Sequence, residues 1–150
     1  MVKKKIKIEK ISKKDINSLY KIGLQEFKGE FWFTKKYLRE TIIPPGHFFG
    51  AFIDGKMVGG ILAKELDHPK LWIFFFVVNK AYQRQGIGRM LLEKVEEKCS
   101  QNYPFLFVDV GVHDKIANNF YRKNKFKKLA KLKNWFGIGQ DAYVYSKRIK

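Results

Sequence analysis

The stretch that decides the fold of this chain is Tyr82-Gln83-Arg84-Gln85-Gly86-Ile87-Gly88-Arg89-Met90-Leu91. It follows an apolar run, Leu71–Val78, and leads into a segment with helical spacing that ends near Ser100. A strand, a glycine turn and a helix start form a site for an anion, because the first N–H groups of a helix are unpaired and lie at the positive end of its dipole. First turns normally favour Asp or Glu, whereas this one has Arg84 and Arg89 and no acid. These cations predict a bound polyanion.

The composition predicts one domain over residues 1–150 with a strongly basic surface. This length is usual for a single domain, and 45% hydrophobic and 16% aromatic residues suffice for a core. There are 31 basic and 14 acidic residues, so the formal net charge is +17. Such a charge favours acidic partners, namely nucleic acid, a membrane surface or a phosphorylated cofactor. A solvated lysine-rich surface is the plain alternative, because the lysines are scattered.

Cysteine, histidine and apolar segments argue against several classes of protein. The single cysteine, Cys99, allows neither a disulfide nor a Cys-based zinc site, and His47, His68 and His113 form no ligand set, so we expect no metal. The longest apolar run has eight residues, too few to cross a bilayer. The start of the chain, Met1–Lys5, lacks the apolar stretch of a signal peptide. We therefore expect a cytoplasmic protein without membrane contact. The sequence leaves a monomer and a homodimer open.

The pattern of apolar, turn and capping residues predicts a mixed α/β sheet with helices on both faces, in the order β-α-α-β-β-β-α-β-α-β-β. Leu71–Val78 lacks polar alternation, which predicts a central strand buried on both faces. The predicted elements are a strand around Ile6 and Ile8, helices 13–27 and 35–41, strands 48–53, 57–65 and 71–78, helix 87–99, strand 105–112, helix 115–125, and strands 126–135 and 142–149.

Two other phosphate-binding glycine motifs do not fit the central stretch. A dinucleotide-binding fingerprint needs a third glycine, but position 91 is Leu91, and the motif would open the fold instead of lying in mid-chain. A Walker loop needs Lys and Ser or Thr after its last glycine, but Gly88 is followed by Arg89 and Met90. A glycine turn that only joins a strand to a helix does not account for the flanking arginines.

The motif Gln83-x-x-Gly86-x-Gly88, preceded by Tyr82, resembles the acetyl-CoA loop of the Gcn5-related N-acetyltransferases (GNAT). Downstream, the segment 117–126 resembles that family's Ala-x-x-Leu-Tyr-Glu-Lys-x-Gly-Phe, and the predicted element order also agrees. The resemblance implies a GNAT fold and acetyl-CoA as cofactor. It implies that the backbone at Val77 and Val78 pairs with the pantetheine arm, that Val78 has a donor for the oxyanion, and that Tyr121 is the general acid. The cofactor-binding residues it implies are Val77, Val78, Gln83, Arg84, Gln85, Gly86, Ile87, Gly88, Arg89, Asp114 and Tyr121.

Within that family the sequence is most similar to the ribosomal-protein alanine N-acetyltransferases. The strand Phe107-Val108-Asp109-Val110 resembles their Leu-Glu-Val strand, whose glutamate acts as base, and the segments 134–136 and 141–142 resemble their Asn-Tyr-Tyr and Asp-Ala positions. Three residues depart from the pattern. Asp109 is one methylene shorter than Glu, Asp114 replaces an Asn that touches pantetheine, and Lys125 replaces a glycine at the helix C-terminus, where we expect a strained or altered cap.

Acetyl transfer to an amine needs a neutral amine, a stabilised oxyanion and a proton for the leaving thiolate. Tyr121 is the candidate acid, although a core tyrosine is the plain alternative. Asp109 is the candidate base, and because one carboxylate suits an α-amine better than a lysine amine, an N-terminal amine is the easier acceptor. His113, a water or a glutamate (Glu26, Glu30 or Glu65) are open alternatives for the base. The segment 31–33, Phe-Trp-Phe, is either a peptide platform or core.

Three functions remain open on the sequence alone. The leading one is an acetyl-CoA-dependent N-acetyltransferase that acts on a protein or peptide amine. The second is a small-molecule acetyltransferase with a polyamine or aminoglycoside as acceptor, which the basic charge disfavours. The third is a basic nucleic-acid-binding module. The net charge of +17 favours this function, whereas the absence of an RNA-type Gly-Phe strand pattern disfavours it.

Overall fold

A computed structural model describes residues 4–150. Part of the segment Met1–Lys5, from which the absence of a signal peptide was predicted, lies outside the described residues. The strands are β1 (Lys7–Lys10), β2 (His47–Ile53), β3 (Lys56–Asp67), β4 (Lys70–Val78), β5 (Phe105–Gly111), β6 (Lys127–Gly137) and β7 (Gln140–Arg148). The helices are α1 (Ile16–Phe27), α2 (Lys35–Thr41), α3 (Ile87–Cys99) and α4 (Lys115–Lys123). In this part of the chain no helix is both long and apolar enough to cross a membrane.

The predicted element order is confirmed, and the boundaries differ by a few residues. The first predicted helix begins as a 3-10 turn, Lys13–Asp15, before α1. The predicted cap of α2 is present, since the Thr34 hydroxyl oxygen accepts a hydrogen bond from Tyr37 N at 3.0 Å. Asp54 and Gly55 form the predicted hairpin turn with φ of 50° and 77°. Local turn and capping chemistry therefore predicted these elements well.

The seven strands form one mixed sheet in the order β1-β2-β3-β4-β5-β7-β6. The β4–β5 pairing is parallel and joins Leu71 to Leu106 and Ile73 to Val108, while β1–β2, β2–β3, β5–β7 and β6–β7 are antiparallel. The described chain falls into two compact units. The N-terminal unit takes in the residues up to Lys64 and Phe74–Glu97, and the C-terminal unit takes in Glu65–Ile73 and Lys98–Lys150. The expectation of one domain over 1–150 stays a prediction.

The core of the N-terminal unit lies between α1, α2 and strands β2 to β4. Leu19 and Ile22, one helical turn apart on α1, are buried beside Phe33 and Phe75, whose rings stack with centroids 5.5 Å apart. Gly60 of β3 lets α1 approach closely, because a Cβ there would lie 2.4 Å from a methyl group of Leu19. This packing fixes α1 over the strands that lead to the glycine turn.

The prediction that Leu71–Val78 is buried on both faces was wrong. Alternate residues from Leu71 to Val77 are buried, but Trp72, Phe74, Phe76 and Val78 are only half-buried. The sequence lacks polar alternation because large apolar side chains occupy both faces of the strand. The side chains on the half-buried face retain contact with solvent. The strand is nevertheless the fourth of seven in the sheet, as expected for a central strand.

In the C-terminal unit, β7 lies between β5 and β6, and α4 packs on one face of these strands. Tyr121 of α4 stacks on Tyr145 of β7 with ring centroids 6.1 Å apart. Strand β6 ends the sheet, and most of its side chains are exposed. This exposed edge strand carries several of the chain's lysines.

Candidate active site

The glycine turn between β4 and α3 contains two residues in the left-handed backbone region. A 3-10 turn, Lys80–Tyr82, leads into it, and then Arg84 and Gly86 have φ of 67° and 79°. A Cβ at Gly86 would meet no atom within 4 Å. Glycine is therefore needed here for its backbone conformation and not to avoid a clash. The space beside it is open, and Arg84 is exposed.

Side-chain amides hold the beginning of this turn. Gln25 of α1 accepts a hydrogen bond from Lys80 N at 2.9 Å and donates to Asn79 Oδ1 at 3.3 Å. Gln83 donates from its side chain to the carbonyl oxygen of Val78 at 3.3 Å, and Asn79 N donates to Val58 O at 2.8 Å. The predicted residue Gln83 thus braces the loop. Gln25 was missed, because its partners lie more than fifty positions away in the sequence.

The first turn of α3 has no acid, as predicted, but one of its cations is paired. Arg89 Nε lies 2.8 Å from Glu93 Oε1, one turn along the helix. Both side chains are exposed, so this pair is weak and leaves Arg89 able to take another anion. The open space at Gly86, the exposed Arg84 and the unpaired N–H groups of a first helical turn fit a phosphate group. The donor set therefore suits the pyrophosphate of a coenzyme A.

Val77 and Val78, at the end of β4, have different environments. The Val77 side chain belongs to the core and is 3% exposed, while Val78 is half-buried. Nearby in the same unit, the Tyr37 hydroxyl donates to the carbonyl oxygen of Phe74 at 2.8 Å. This bond ties α2 to the strand, and nothing in the sequence of α2 pointed to it.

Asp109 on β5 is held by two indole groups. Trp72 Nε1 donates to Oδ1 and Trp135 Nε1 donates to Oδ2, each at 2.8 Å. The carboxylate is therefore fixed in orientation, and each oxygen keeps a lone pair for a further donor. Sequence reasoning named Asp109 but missed the role of both tryptophans, which come from β4 and from β6. Asp109 can thus accept a proton or a hydrogen bond at a defined position.

Tyr121 is 6% exposed and lies among aromatic rings of the C-terminal unit. Its ring centroid is 5.3 Å from that of Phe120, 5.1 Å from that of Phe126 and 6.1 Å from that of Tyr145. These contacts fit the plain expectation of a core tyrosine. They also fix the ring in one orientation, which a proton donor needs.

A buried amide that the sequence did not reveal supports the same region. Asn118, 5% exposed, donates from Nδ2 to Gly111 O at 2.9 Å and to Asp114 O at 2.7 Å, and accepts from the Tyr145 hydroxyl. Burial raises the pKa of Tyr145, so its hydroxyl stays protonated and remains a donor. Asn118 therefore joins β5, the start of α4 and β7.

Both ends of α4 show the chemistry expected of Asp114 and Lys125. Asp114 caps the helix, with Oδ1 accepting from Ala117 N at 3.0 Å. Lys125 has φ of 70°, and the helix ends with Phe126 N bonded to Tyr121 O at 3.0 Å and Lys125 N bonded to Arg122 O at 3.2 Å. This is a Schellman ending in which a lysine takes the usual place of glycine. The predicted strain at Lys125 is confirmed by its positive φ.

The other candidate bases have specific surroundings. Glu65 is bonded through Oε1 to His68 Nδ1 at 2.6 Å and through Oε2 to the Tyr103 hydroxyl at 3.2 Å. These partners engage both carboxylate oxygens of Glu65, which lies near the end of β3. His113 is exposed in the turn before α4. Among the candidate bases, Asp109 is the one whose carboxylate is held by two indole hydrogen bonds.

The segment 31–33 divides between the two expected roles. Phe31 is 78% exposed, whereas Phe33 is 5% exposed and belongs to the core. Trp32 is half-buried, and its ring contacts those of Phe27 and Tyr37. Phe33 is therefore core, while Phe31 is available for a contact with another molecule.

Comparison with known proteins identifies the family. An uncharacterized N-acetyltransferase of Methanocaldococcus jannaschii is 29% identical over 143 residues, covering 94% of this chain and 90% of that protein. An N-alpha-acetyltransferase of Sulfurisphaera tokodaii is 28% identical over 127 residues, covering 76% and 74%. The crystal structure of Ard1 from Thermoplasma volcanium matches with a TM-score of 0.87 at 26% identity, covering 97% and 98%. Because the sequence model of the acetyltransferase (GNAT) family matches residues 15–126, this chain belongs to that family of acetyl-CoA-dependent N-acetyltransferases.

Proposed function

We propose that this N-acetyltransferase acetylates the N-terminal α-amine of a protein or peptide. The observation that carries the proposal is the carboxylate of Asp109, which two indoles hold in place and whose oxygens each keep a lone pair for a further donor. An α-amine with a pKa of about 7.7–8.0 is roughly 10–20% neutral at pH 7, whereas a lysine amine with a pKa near 10.4 is only about 0.04% neutral. A single carboxylate therefore suits an α-amine better. The name of the Sulfurisphaera relative, N-alpha-acetyltransferase, supports the same acceptor.

We assign the pyrophosphate of acetyl-CoA to the glycine turn, and the pantetheine arm to the backbone at the end of β4. Support comes from the exposed Arg84, the open space at Gly86 and the acid-free start of α3. The residues proposed to contact the cofactor are Val77, Val78, Gln83, Arg84, Gln85, Gly86, Ile87, Gly88, Arg89, Asp114 and Tyr121. Calorimetric titration with acetyl-CoA tests this assignment, and no detectable heat of binding at high micromolar ligand would contradict it.

When bound, acetyl-CoA supplies the thioester from which the acetyl group passes to the amine. Asp109 accepts the proton that the amine must lose, either directly or through a water. The N–H of Val78 donates a hydrogen bond to the acetyl oxygen. The hydroxyl of Tyr121 gives a proton to the leaving sulfur, which a phenol with a reference pKa of about 10 can do.

The role of Tyr121 is tested by Tyr121→Phe, which removes only the hydroxyl and keeps the ring among its aromatic neighbours. We expect acetyl-CoA to bind with unchanged affinity and kcat to fall by about 10²–10⁴-fold, the usual contribution of a general acid. Tyr143→Phe, a change of the same kind on β7, is the matched control and should keep its turnover. If Tyr121→Phe also retains wild-type turnover, Tyr121 is a core residue only.

The acceptor is tested with pairs of peptides. One peptide has a free N-terminus and no lysine, and the other has a blocked N-terminus and one internal lysine. We expect mass spectrometry to find the acetyl group on the α-amine of the first peptide and little product from the second. Equal rates on both peptides would refute the α-amine proposal, and faster acetylation of a polyamine or an aminoglycoside would favour the small-molecule alternative.

A further inference from the structure

The segment from 115 to 134, which holds α4 and most of β6, has a charge pattern that the acetyl-transfer site does not use. It contains eight Lys or Arg residues and no Asp or Glu. The proposed base and acid, Asp109 and Tyr121, need no cation from this segment. A run of like charges raises the free energy of the folded chain unless an anion binds to it, so this charge calls for a separate explanation.

Helix α4 places part of this charge around a surface cavity of about 290 Å³. Its lining includes Lys115, Asn119 and Arg122, which lie on one side of the helix at positions i, i+4 and i+7, together with Val112 and the buried Asn118. Arg122 Nη2 donates to Asn119 Oδ1 at 2.7 Å, which directs the guanidinium along the helix surface beside the cavity. Its other N–H groups can donate to two oxygens of a phosphate.

Strand β6 brings two lysines to the face of the sheet on which α4 packs. In the antiparallel register, Lys128 lies opposite Tyr145 and Lys131 lies opposite Tyr143. Paired residues project to the same face, and Tyr145 is bonded to Asn118 of α4. Lys128 and Lys131 therefore share this face with the helix. We call the set Lys115, Asn119, Arg122, Lys128 and Lys131 the α4–β6 basic face.

The positive charge of this face is little compensated. Asp141 lies 3.7 Å from Lys131, but the lysine is more than half exposed, so this ion pair is weak. Edge strands often carry lysines that prevent pairing with another sheet edge, and this explains charge on β6. It does not explain Lys115 and Arg122, which lie on a helix around a cavity.

A cation–π contact holds one lysine of the basic face in place. Lys128 Nζ is 3.6 Å from the ring centroid of Tyr143, which is half-buried. The ammonium group is therefore held on this face of the sheet together with the cations of α4. A nucleic acid strand carries one phosphate per nucleotide, so successive phosphates can meet several neighbouring cations of such a face.

We propose that the α4–β6 basic face binds a single-stranded nucleic acid, with one backbone phosphate at Arg122 and Lys115 and its neighbours at the lysines of β6. This binding activity lies beyond acetyl transfer and does not depend on the acceptor amine. It also accounts for part of the net charge of +17. The contacts are with the backbone, so the binding is sequence-tolerant and strongly salt-dependent.

Fluorescence anisotropy with labelled 20-nucleotide RNA and DNA tests the proposal between 50 and 200 mM KCl. We expect the triple variant Lys115→Gln, Arg122→Gln, Lys128→Gln to bind at least tenfold more weakly than the wild type. The slope of log K against log salt should fall in magnitude by about 2, since each lost contact with a single strand removes about 0.7. The matched control is Lys14→Gln, Lys21→Gln, Lys56→Gln, which removes the same charge from exposed positions of the N-terminal unit and should bind within about twofold of the wild type.

Three results would overturn the proposal. The first is no binding by the wild type at 50 mM KCl, and the second is an equal loss in the control variant. The third is equally tight, equally sensitive binding of polyglutamate or of anionic phospholipid vesicles, which would identify a protein or membrane partner instead. Circular dichroism and turnover on a short uncharged peptide verify that the triple variant folds. If it does not, the single exposed substitution Lys128→Glu replaces it, with Lys21→Glu as its control.

Discussion

Replacement of Asp109 by Asn tests the carboxylate held by two indoles. Asn offers one acceptor oxygen and an amide group that cannot accept from an N–H. We expect this oxygen to turn toward Trp72, because Trp135 is 53% exposed and can donate to water. The bond to Trp135 is then lost, and that to Trp72 is no longer charge-assisted. Hydrogen bonds to charged groups contribute about 1.5–3 kcal/mol, and the exposure of Trp135 reduces this, so Asp109→Asn should lower the free energy of unfolding by about 1–2 kcal/mol.

A double-mutant cycle isolates the bond between Asp109 and Trp135. Urea unfolding is measured for the wild type, Asp109→Asn, Trp135→Phe and the double variant. Each of the three variants lacks this bond, so the departure from additivity of their unfolding free energies measures it. The coupling free energy should be about 1 kcal/mol, less than the full cost of Asp109→Asn, which also weakens the bond to Trp72. The same proteins separate stability from catalysis. If Asp109 is the base, Asp109→Asn lowers kcat by about 10²–10⁴-fold, while Trp135→Phe keeps the carboxylate and lowers kcat less than tenfold.

The stabilising role and the catalytic role of Asp109 are tested separately by these variants. A coupling free energy below about 0.3 kcal/mol, the usual scatter for independent sites, would show that the indole of Trp135 does not stabilise the carboxylate. Turnover of Asp109→Asn within twofold of the wild type would remove Asp109 from the reaction. Tests of His113→Ala and Glu65→Gln would then decide which other group takes the proton.

Three further predictions concern single residues. Gly86→Ala should cost about 1–2 kcal/mol of stability, because φ is 79° there, and should weaken acetyl-CoA binding in calorimetry. Gly55→Ala, at φ of 77° in a hairpin with open space, should cost similar stability but leave that affinity unchanged. Lys125→Gly should raise the free energy of unfolding, measured in urea, by about 0.5–1 kcal/mol. Glycine relieves the strain of the left-handed backbone, and the greater entropy of glycine in the unfolded chain offsets part of this gain. Burial raises the pKa of Cys99 to about 12, so its thiol should resist iodoacetamide at pH 8 until urea unfolds the protein. Between pH of about 9 and 12 only the thiol of the unfolded chain ionises, so the free energy of unfolding should fall as the pH rises through this range.

Features that depend on near neighbours in the sequence were predictable. The Asp54-Gly55 turn, the Thr34 and Asp114 caps and the positive φ at Lys125 all follow from chemistry within four residues. The positive φ of Gly86 also follows from the sequence, because a tight turn before a helix needs glycine. These local rules sufficed for the element order, since each helix and strand has its own start and end signal.

Features that depend on distant residues were not predictable. The partners of Asp109 come from positions 37 residues before it and 26 residues after it, and no periodicity connects an indole to a carboxylate over such separations. The bonds of Asn118 to Gly111 and Tyr145 also needed the packed helix. The partial exposure of Phe74 and Phe76 needed the sheet itself, because an apolar run has the same sequence whether one face or both faces are covered. The orientation of the candidate base is therefore a property of the tertiary structure.

The local energetics of the glycine turn argue that it is shaped for a ligand. Arg84 is not glycine, yet it has a left-handed backbone, which costs about 1–2 kcal/mol. Arg89 near the positive end of α3 costs a few tenths of a kcal/mol more, and its pair with Glu93 returns about the same amount. An unfavourable balance of about 1–2 kcal/mol remains in the free protein. A bound pyrophosphate would turn both arginines into favourable contacts, so acetyl-CoA should raise the melting temperature of the wild type more than that of Arg84→Gly, in which the strain is removed together with the cation.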